Sequence, residues 1–247
     1  MRVALLRRSA PDPTHLTVAH DGTTFRVAMR RRASARRITL RVSSATGEVV
    51  LTLPERTAVS VAQRFADAHA DWVAARVARV PARVALEPGA LVPLRGVPHR
   101  ILHWSLAGGA TVATRDAEEA PVIAVACQVP HVGRRVRDYL EAEARGDLRE
   151  AVARHARALG RGPRRLTVRD TRSRWGSCSA SGHLNFSWRL ILAPPFVLDY
   201  LAAHEVAHLA EMNHSDRFWS LLDRLYPRVE EAERWLKRHG TELHRYG

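Results

Sequence analysis

Two histidines four residues apart, His204 and His208, stand either side of Glu205 in the eighteen-residue stretch "AAHEVAHLAEMNHSDRFW", Ala202 to Trp219. On a helix, residues at that spacing lie on one face, about 40° apart around the axis, so two imidazole nitrogens can reach one ion. A carboxylate beside the first histidine reaches the rim of the same site. There it can take a proton from a water on the ion without being a ligand itself. Chance solvated histidines would be the ordinary explanation for one such residue, but not for the full motif on a segment with independent helix signals.

A catalytic zinc site wants three protein ligands and an open fourth position. Glu211 shares the helix face of both histidines, yet seven residues from His204 is about 10 Å along the axis, too far for one ion. His214 would point away from a continuous helix and can serve only if the chain turns back. Asn213 is a helix-terminating residue and Ser215 a helix cap, so a reversal at Asn213 is expected. His214 is therefore the expected third ligand, with Glu211 behind the ligands or facing substrate. Glu230, Glu231 and Glu233 downstream are weaker competitors.

The elements that must position these residues follow from periodicity. Pro194 and Pro195 open a helix expected to run to about Met212, followed by helices in "SDRFWSLLDRLYP" and "VEEAERWLKRHG", the last ended by Gly240. Upstream, Leu166–Thr171 and His183–Trp188 alternate as strands, with Ser179–Gly182 as the turn between them. A helix from about Val132 to Leu159 is closed by Gly160 and Gly162. Two hairpins turn at Asp21-Gly22 and Thr46-Gly47, and the apolar spacing from Ala58 to about Val80 reads as one helix. The Pro/Gly-punctuated "PARVALEPGALVPLRGVPHRILHW" returns to strands, and Ala107–Pro121 reads as loop. No internal repeat or low-complexity tract is visible.

With 247 residues, 46% hydrophobic and 26% charged, the chain is globular and long enough for a real core. The opening "MRVALLRRSAPDP" has too short an apolar run for a signal peptide, and no run approaches a membrane span. Cys127 and Cys178 are too few for a disulfide framework or a cysteine zinc site. A cytoplasmic protein is the default expectation. The net charge of +14 points toward nucleic acid, but Lys237 is the only lysine among 39 basic residues. That arginine bias, with abundant Ala and Val, looks like a GC-rich genome and a solvated surface. The densest cluster, Arg30 to Arg37, leads into "ITLRVSS", which places its arginines at the start of a strand.

The stretch "RSRWGSCSASGHLNFSWRLILAPPFVLDYLAAHEVAHLAEMNHSDRFW" resembles the YgjP-like metallopeptidase family, related to the SprT-like zincins. "RRASARRITLRV", "VVLTLP" and "LRG" before "PHRI" resemble that family's amino-terminal half, so the resemblance covers most of the chain. It implies an α+β fold: a β-rich region over residues 1–125 with one helix at about 58–80, then a zincin-like metallopeptidase domain over 126–247. In that domain a small antiparallel sheet would lie over two helices. Zn2+ would sit on His204, His208 and His214, with Glu205 as general base, although an all-histidine triad tolerates other divalent ions. An edge strand in "TRSRWGSCS" would pair with an extended peptide or protein substrate, making Arg174, Trp175, Gly176 and Ser177 cleft-lining residues. Core packing competes for Trp175, and a small buried residue is the favoured view of Cys178. Arg172, Arg174, Tyr200 and His183 all remain open as oxyanion stabilisers. Two rival functions stand beside peptide hydrolysis. One is hydrolysis of a nucleotide phosphoanhydride, with Arg30–Arg37 on the phosphates. The other is a nucleic-acid-associated binding module with a structural metal.

Overall fold

In the structure, a computed structural model, residues 13–105, 109–171 and 173–247 are described. Most of the amino-terminal stretch weighed as a leader, the first residues of the expected 107–121 loop, and Arg172 lie outside them. The chain divides into two compact units, Met1–Val80 and Pro81–Gly247. The sequence had pointed to a division at 125/126.

In the first unit, β1 (His15–His20) and β2 (Thr23–Arg31) form the expected hairpin, and β3 (Thr39–Val42) pairs with β4 (Val49–Leu53) in a second. Asp21 and Gly22 both have positive φ, 44° and 75°, the conformation a two-residue turn needs to match strand twist. Parallel pairing of β2 with β4 joins the hairpins in the order β1-β2-β4-β3. The sheet buries Leu16, Val18, Val27, Val49, Leu51 and Leu53 against Ala62, Ala66, Ala70 and Val73. Those last residues belong to two helices, α1 (Val59–Asp67) and α2 (Ala70–Val77), where one was expected. At the break, the His69 ring takes the Phe65 carbonyl at 2.8 Å, and the His69 N–H turns to Ala66. The arginine cluster also lies differently from expectation. Arg30 and Arg31 end β2, and the residues after them form a loop before β3. Arg31 donates to the carbonyls of Glu55 and Thr57, at 2.6 and 2.8 Å.

The second unit begins with the same plan. Strands β5 (Leu91–Leu94), β6 (Val97–Trp104), β7 (Thr111–Arg115) and β8 (Pro121–Ala126) are ordered β5-β6-β8-β7, with β6 and β8 parallel and the outer pairs antiparallel. Part of the expected 107–121 loop is thus strand β7. The turn Arg95-Gly96 repeats the double positive φ, at 52° and 79°. Even the parallel register matches, since Val27 faces Val49 as Ile101 faces Ile123. A shift of 74 positions, from 21 to 95, carries Val18 onto Val92, Leu51 onto Val125, Ala62 onto Val136 and Ala66 onto Leu140, all of them buried. The chain therefore contains an internal repeat of topology, contrary to the sequence reading. The helix after the second sheet, α3 (Val132–Leu159), is continuous over 28 residues and matches its expected bounds. Because β5–β8 and α3 share one core with everything downstream, the unit boundary falls at Pro81 and not at 126.

After α3 come three short strands: β9 (Arg165–Arg169), β10 (Gly176–Cys178) and β11 (His183–Ser187). Their order is β10-β11-β9, with β10 antiparallel and β9 parallel to β11, so this sheet is mixed and not antiparallel. Ser179–Gly182 turns β10 into β11; it does not join the strands on either side of "RSRWGSC". A 3-10 segment, Trp188–Leu192, leads to α4 (Pro195–Ala207), which is buried on almost every side as a central helix must be. The tip of the β5–β6 hairpin props this entry. The Arg95 N–H donates to Ile191 and the Gly96 N–H to Leu192, at 2.7 and 3.2 Å. Arg95 is held from α3 by Asp147 and Glu143. The chain ends in α5 (Asp216–Leu225) and α6 (Val229–Leu243), and α6 runs through Gly240 where it was expected to stop. The α+β fold, with its sheet-rich amino-terminal part, is as expected. No helix of the described residues is long and apolar enough to cross a membrane.

Candidate metal centre

The last turn of α4 carries His204 inward, and His208 sits at its C-cap. The helix stops there, earlier than the expected Met212. The reversal is spread over the residues from 208 to 215 instead of pivoting at Asn213. Ser215 occupies the N-cap of α5, but its hydroxyl makes no capping bond; its N–H binds the Asn213 carbonyl at 2.8 Å. This turn brings His214 back over the helix end. One ligand nitrogen from each of His204, His208 and His214 lies within 4.8 Å of the others, the one such cluster of metal-ligating groups among the described residues. The Nε2 atoms of His204 and His214 are 3.2 Å apart. Two nitrogens each about 2.0–2.1 Å from a tetrahedral ion stand about 3.3 Å apart, so the pair already has the spacing a zinc ion imposes.

Phe218 forms the floor. Fully buried on α5, its ring lies 5.0, 4.5 and 4.7 Å from the rings of His204, His208 and His214, stacked flat under His208. Sequence reading missed it, because an aromatic on an amphipathic helix looks like any core residue. Two further contacts orient the rings from behind. The His208 Nδ1 lies 3.0 Å from the Glu211 carbonyl oxygen, so it bears the proton and leaves Nε2 as the lone-pair atom. Glu211 thus stands behind a histidine as expected, but through its backbone. The His204 Nδ1 lies 3.3 Å from the Tyr200 hydroxyl, which donates to Glu233 at 2.9 Å. Tyr200 is therefore on the far side of His204 from the cluster, which removes it as an oxyanion stabiliser. Glu233 serves the tyrosine and is no competing ligand; Glu231 pairs with Arg228.

Burial pushes the His204 pKa down to about 4, with the two other histidines adding to the effect, and burial also lowers His208. Unprotonated imidazoles are the form a cation needs. Glu205 behaves in the opposite sense: burial pushes its carboxyl up to about 7, against the pull of Arg174. It is 5% exposed, and its Oε2 has no hydrogen-bond partner. An orphaned buried carboxylate oxygen on the residue next to one of three convergent imidazoles fits a site built around a cation and a water.

Strand β10 forms the adjacent wall. It is the outer strand of its sheet, paired with β11 alone among the described residues. Gly176 lets the carboxylate of Glu205 lie against it. A methyl group there would overlap Oε1 and come within 2.7 Å of Cγ. Ser177 alternates to the opposite side of the strand, opposite Asn185. Cys178 is half-buried, and its thiol is pushed up first by burial and then by Glu205. Arg174 is exposed and near enough to bear on Glu205. Trp175 leaves the cleft: it stacks on His244 with centroids 4.7 Å apart and rests on Gly240 of α6. Core packing wins for that residue.

The family model of the YgjP-like metallopeptidase domain matches residues 36–239. Among proteins of curated function, none matches the chain significantly. A solved structure, the metallopeptidase zymogen abylysin of Pyrococcus abyssi, aligns with 37% of this chain and 93% of its own at 19% identity, with a TM-score of 0.34.

Proposed function

The chain belongs to the YgjP-like metallopeptidase family, and from that footing we propose that it hydrolyses peptide bonds with one zinc ion held by His204, His208 and His214. When bound, the ion would lower the pKa of a water toward about 7 and polarise the scissile carbonyl. The Tyr200 hydroxyl and the Glu211 carbonyl hold two of the rings with Nε2 turned inward. Glu205 is the general base. Its unpartnered Oε2 accepts the proton of the attacking water and passes it to the leaving amine. An extended peptide adds to the outer edge of β10, which is unpaired among the described residues, and Gly176 keeps that strand close enough to Glu205 for the scissile bond to meet the water. Both cysteines are free, which fits a reducing compartment such as the cytoplasm.

The observation that carries this reading is the orphaned carboxylate of Glu205, the neighbour of His204 in α4, packed against Gly176 on a strand whose outer edge is unpaired among the described residues. The test is hydrolysis of a quenched peptide library by the zinc-loaded chain, with zinc content measured in parallel. Glu205→Gln should retain zinc and lose at least about 100-fold in kcat. Gly176→Ala should do nearly as much harm, because its methyl group takes the place of the carboxylate. Normal turnover by Glu205→Gln would remove the base assignment.

A further inference from the structure

The side of His204 that faces away from the cluster meets a pair of polar side chains. Tyr200 precedes His204 by one helical turn, is 4% exposed, and sets its hydroxyl 3.3 Å from Nδ1. A phenol carries one proton, and here that proton goes to the Glu233 carboxylate at 2.9 Å. The oxygen is then left with lone pairs alone to offer His204, so Nδ1 must be the protonated nitrogen and Nε2 the free one. Glu233 is on α6, a different element from the helix that carries the histidine. The same α6 supports the strand side of the centre, through Trp175 against Gly240 and against His244 at its C-cap.

We propose that Tyr200 and Glu233 are positioning residues that set the affinity of the centre for a divalent cation. Glu233 draws the phenol proton toward itself, which makes the phenol oxygen a stronger acceptor for the His204 N–H. That bond in turn fixes the ring and strengthens Nε2 as a donor. His208 obtains the same service from a backbone carbonyl, which substitution cannot remove; His204 obtains it from two side chains on two helices. This rests on the reading that the three histidines bind metal, but not on the chain's being a peptidase.

The experiment is chelator competition for zinc on the full chain at fixed pH, with the absorption spectrum of the cobalt-substituted protein as a second readout. Tyr200→Phe keeps the ring and its packing, so the metal-free protein should melt within a few degrees of wild type. Its zinc affinity should fall about 10- to 100-fold, and the cobalt bands should shift. Glu233→Ala should weaken zinc to a similar degree. Glu233→Gln, which still accepts the phenol proton, should recover part of the loss. The Tyr200→Phe, Glu233→Ala double variant should be no weaker than Tyr200→Phe alone, since both act through one bond. Zinc affinity within twofold of wild type for Tyr200→Phe, or losses that add in the double variant, overturn the proposal. A wild-type chain that binds no zinc overturns the metallopeptidase reading as well, so the two failures are distinct.

Discussion

The two sheet-and-helix repeats have the same strand order, the same parallel register and the same positive-φ turn, yet they are used differently. In the first, a methyl group on Gly22 would meet nothing within 4 Å among the described residues. The neighbouring contact of His20 with Asp71, at 3.2 Å, lies at the surface, with the aspartate 92% accessible. In the second, the Arg95-Gly96 turn is seated. Its arginine spans Asp147 and Glu143 on α3, and its glycine meets Pro194, the residue before α4. One topology thus encloses its own core in one place and buttresses the histidine-bearing helix in the other. The helices diverge to suit. Where the first repeat breaks at His69, the second has Glu143 in an unbroken α3, whose last turns reach α4. The lesson is that the scaffold's contribution to the centre comes from the turn contacts and from the helix extension, not from the shared sheet.

The sharpest way to break that comparison is to place the same methyl group in both turns. Gly22→Ala costs only the positive-φ penalty, about 1 kcal/mol. Gly96→Ala adds a clash, since its methyl would lie 3.0–3.2 Å from Cγ, Cα and N of Pro194. With overpacking of about 1–3 kcal/mol added, the expected loss is about 2–4 kcal/mol by thermal unfolding, with weakened zinc binding because α4 begins there. Equal losses at the two turns would mean that the second hairpin does not buttress α4.

The helix extension has its own probe. Asp199 on α4 takes Arg154 at 2.7 Å and His155 at 2.6 Å, both from the part of α3 past Ala144, the counterpart of Ala70. Burial alone would raise the Asp199 pKa, but the bonds from His155 and Arg154 hold it below the ordinary value of 3.8. A depressed carboxylate stabilises the fold above its unfolded-state pKa and loses that contribution as pH falls through the folded-state value. Asp199→Asn should therefore cost about 1–3 kcal/mol at pH 7 and progressively less below pH 4. A penalty that stayed constant from pH 7 to pH 3 would show that charge plays no part in joining α3 to α4.

Sequence reading succeeded where a local signal decides the structure. Asp21-Gly22 demands positive φ at adjacent positions, Gly160 closes α3 in the left-handed conformation, and His204 and His208 need only α4 to share a face. The repeat escaped notice because it conserves burial and not identity: Val27 answers Ile101, and Ala62 answers Val136. Strand β10 was too short for alternation to show, so its turn was assigned to the wrong pair of strands. The Tyr200–Glu233 contact joins residues 33 positions apart on separate helices, which no spacing rule reaches. His214 was reached by arguing a reversal at Asn213; the chain does turn back, but the turn starts at His208, where α4 ends and the His208 Nδ1 meets the Glu211 carbonyl.

The smallest expected effect concerns the break between α1 and α2. If the His69 ring causes it by claiming the Phe65 carbonyl, His69→Ala should release that acceptor to the backbone and let the two helices join. The substitution also loses the stacking of His69 on Phe65, with centroids 4.3 Å apart, so gain and loss nearly cancel. Stability should change by no more than about 0.5 kcal/mol, the range of exposed substitutions. The far-UV circular dichroism signal should nevertheless rise by the equivalent of a few helical residues. A drop in stability with no added helix would place the cause elsewhere. Ala62, Ala66, Ala70 and Val73 would then be setting the bend by their packing on the sheet, and the straightness of α3 would follow from its core contacts and not from Glu143 at the matching position.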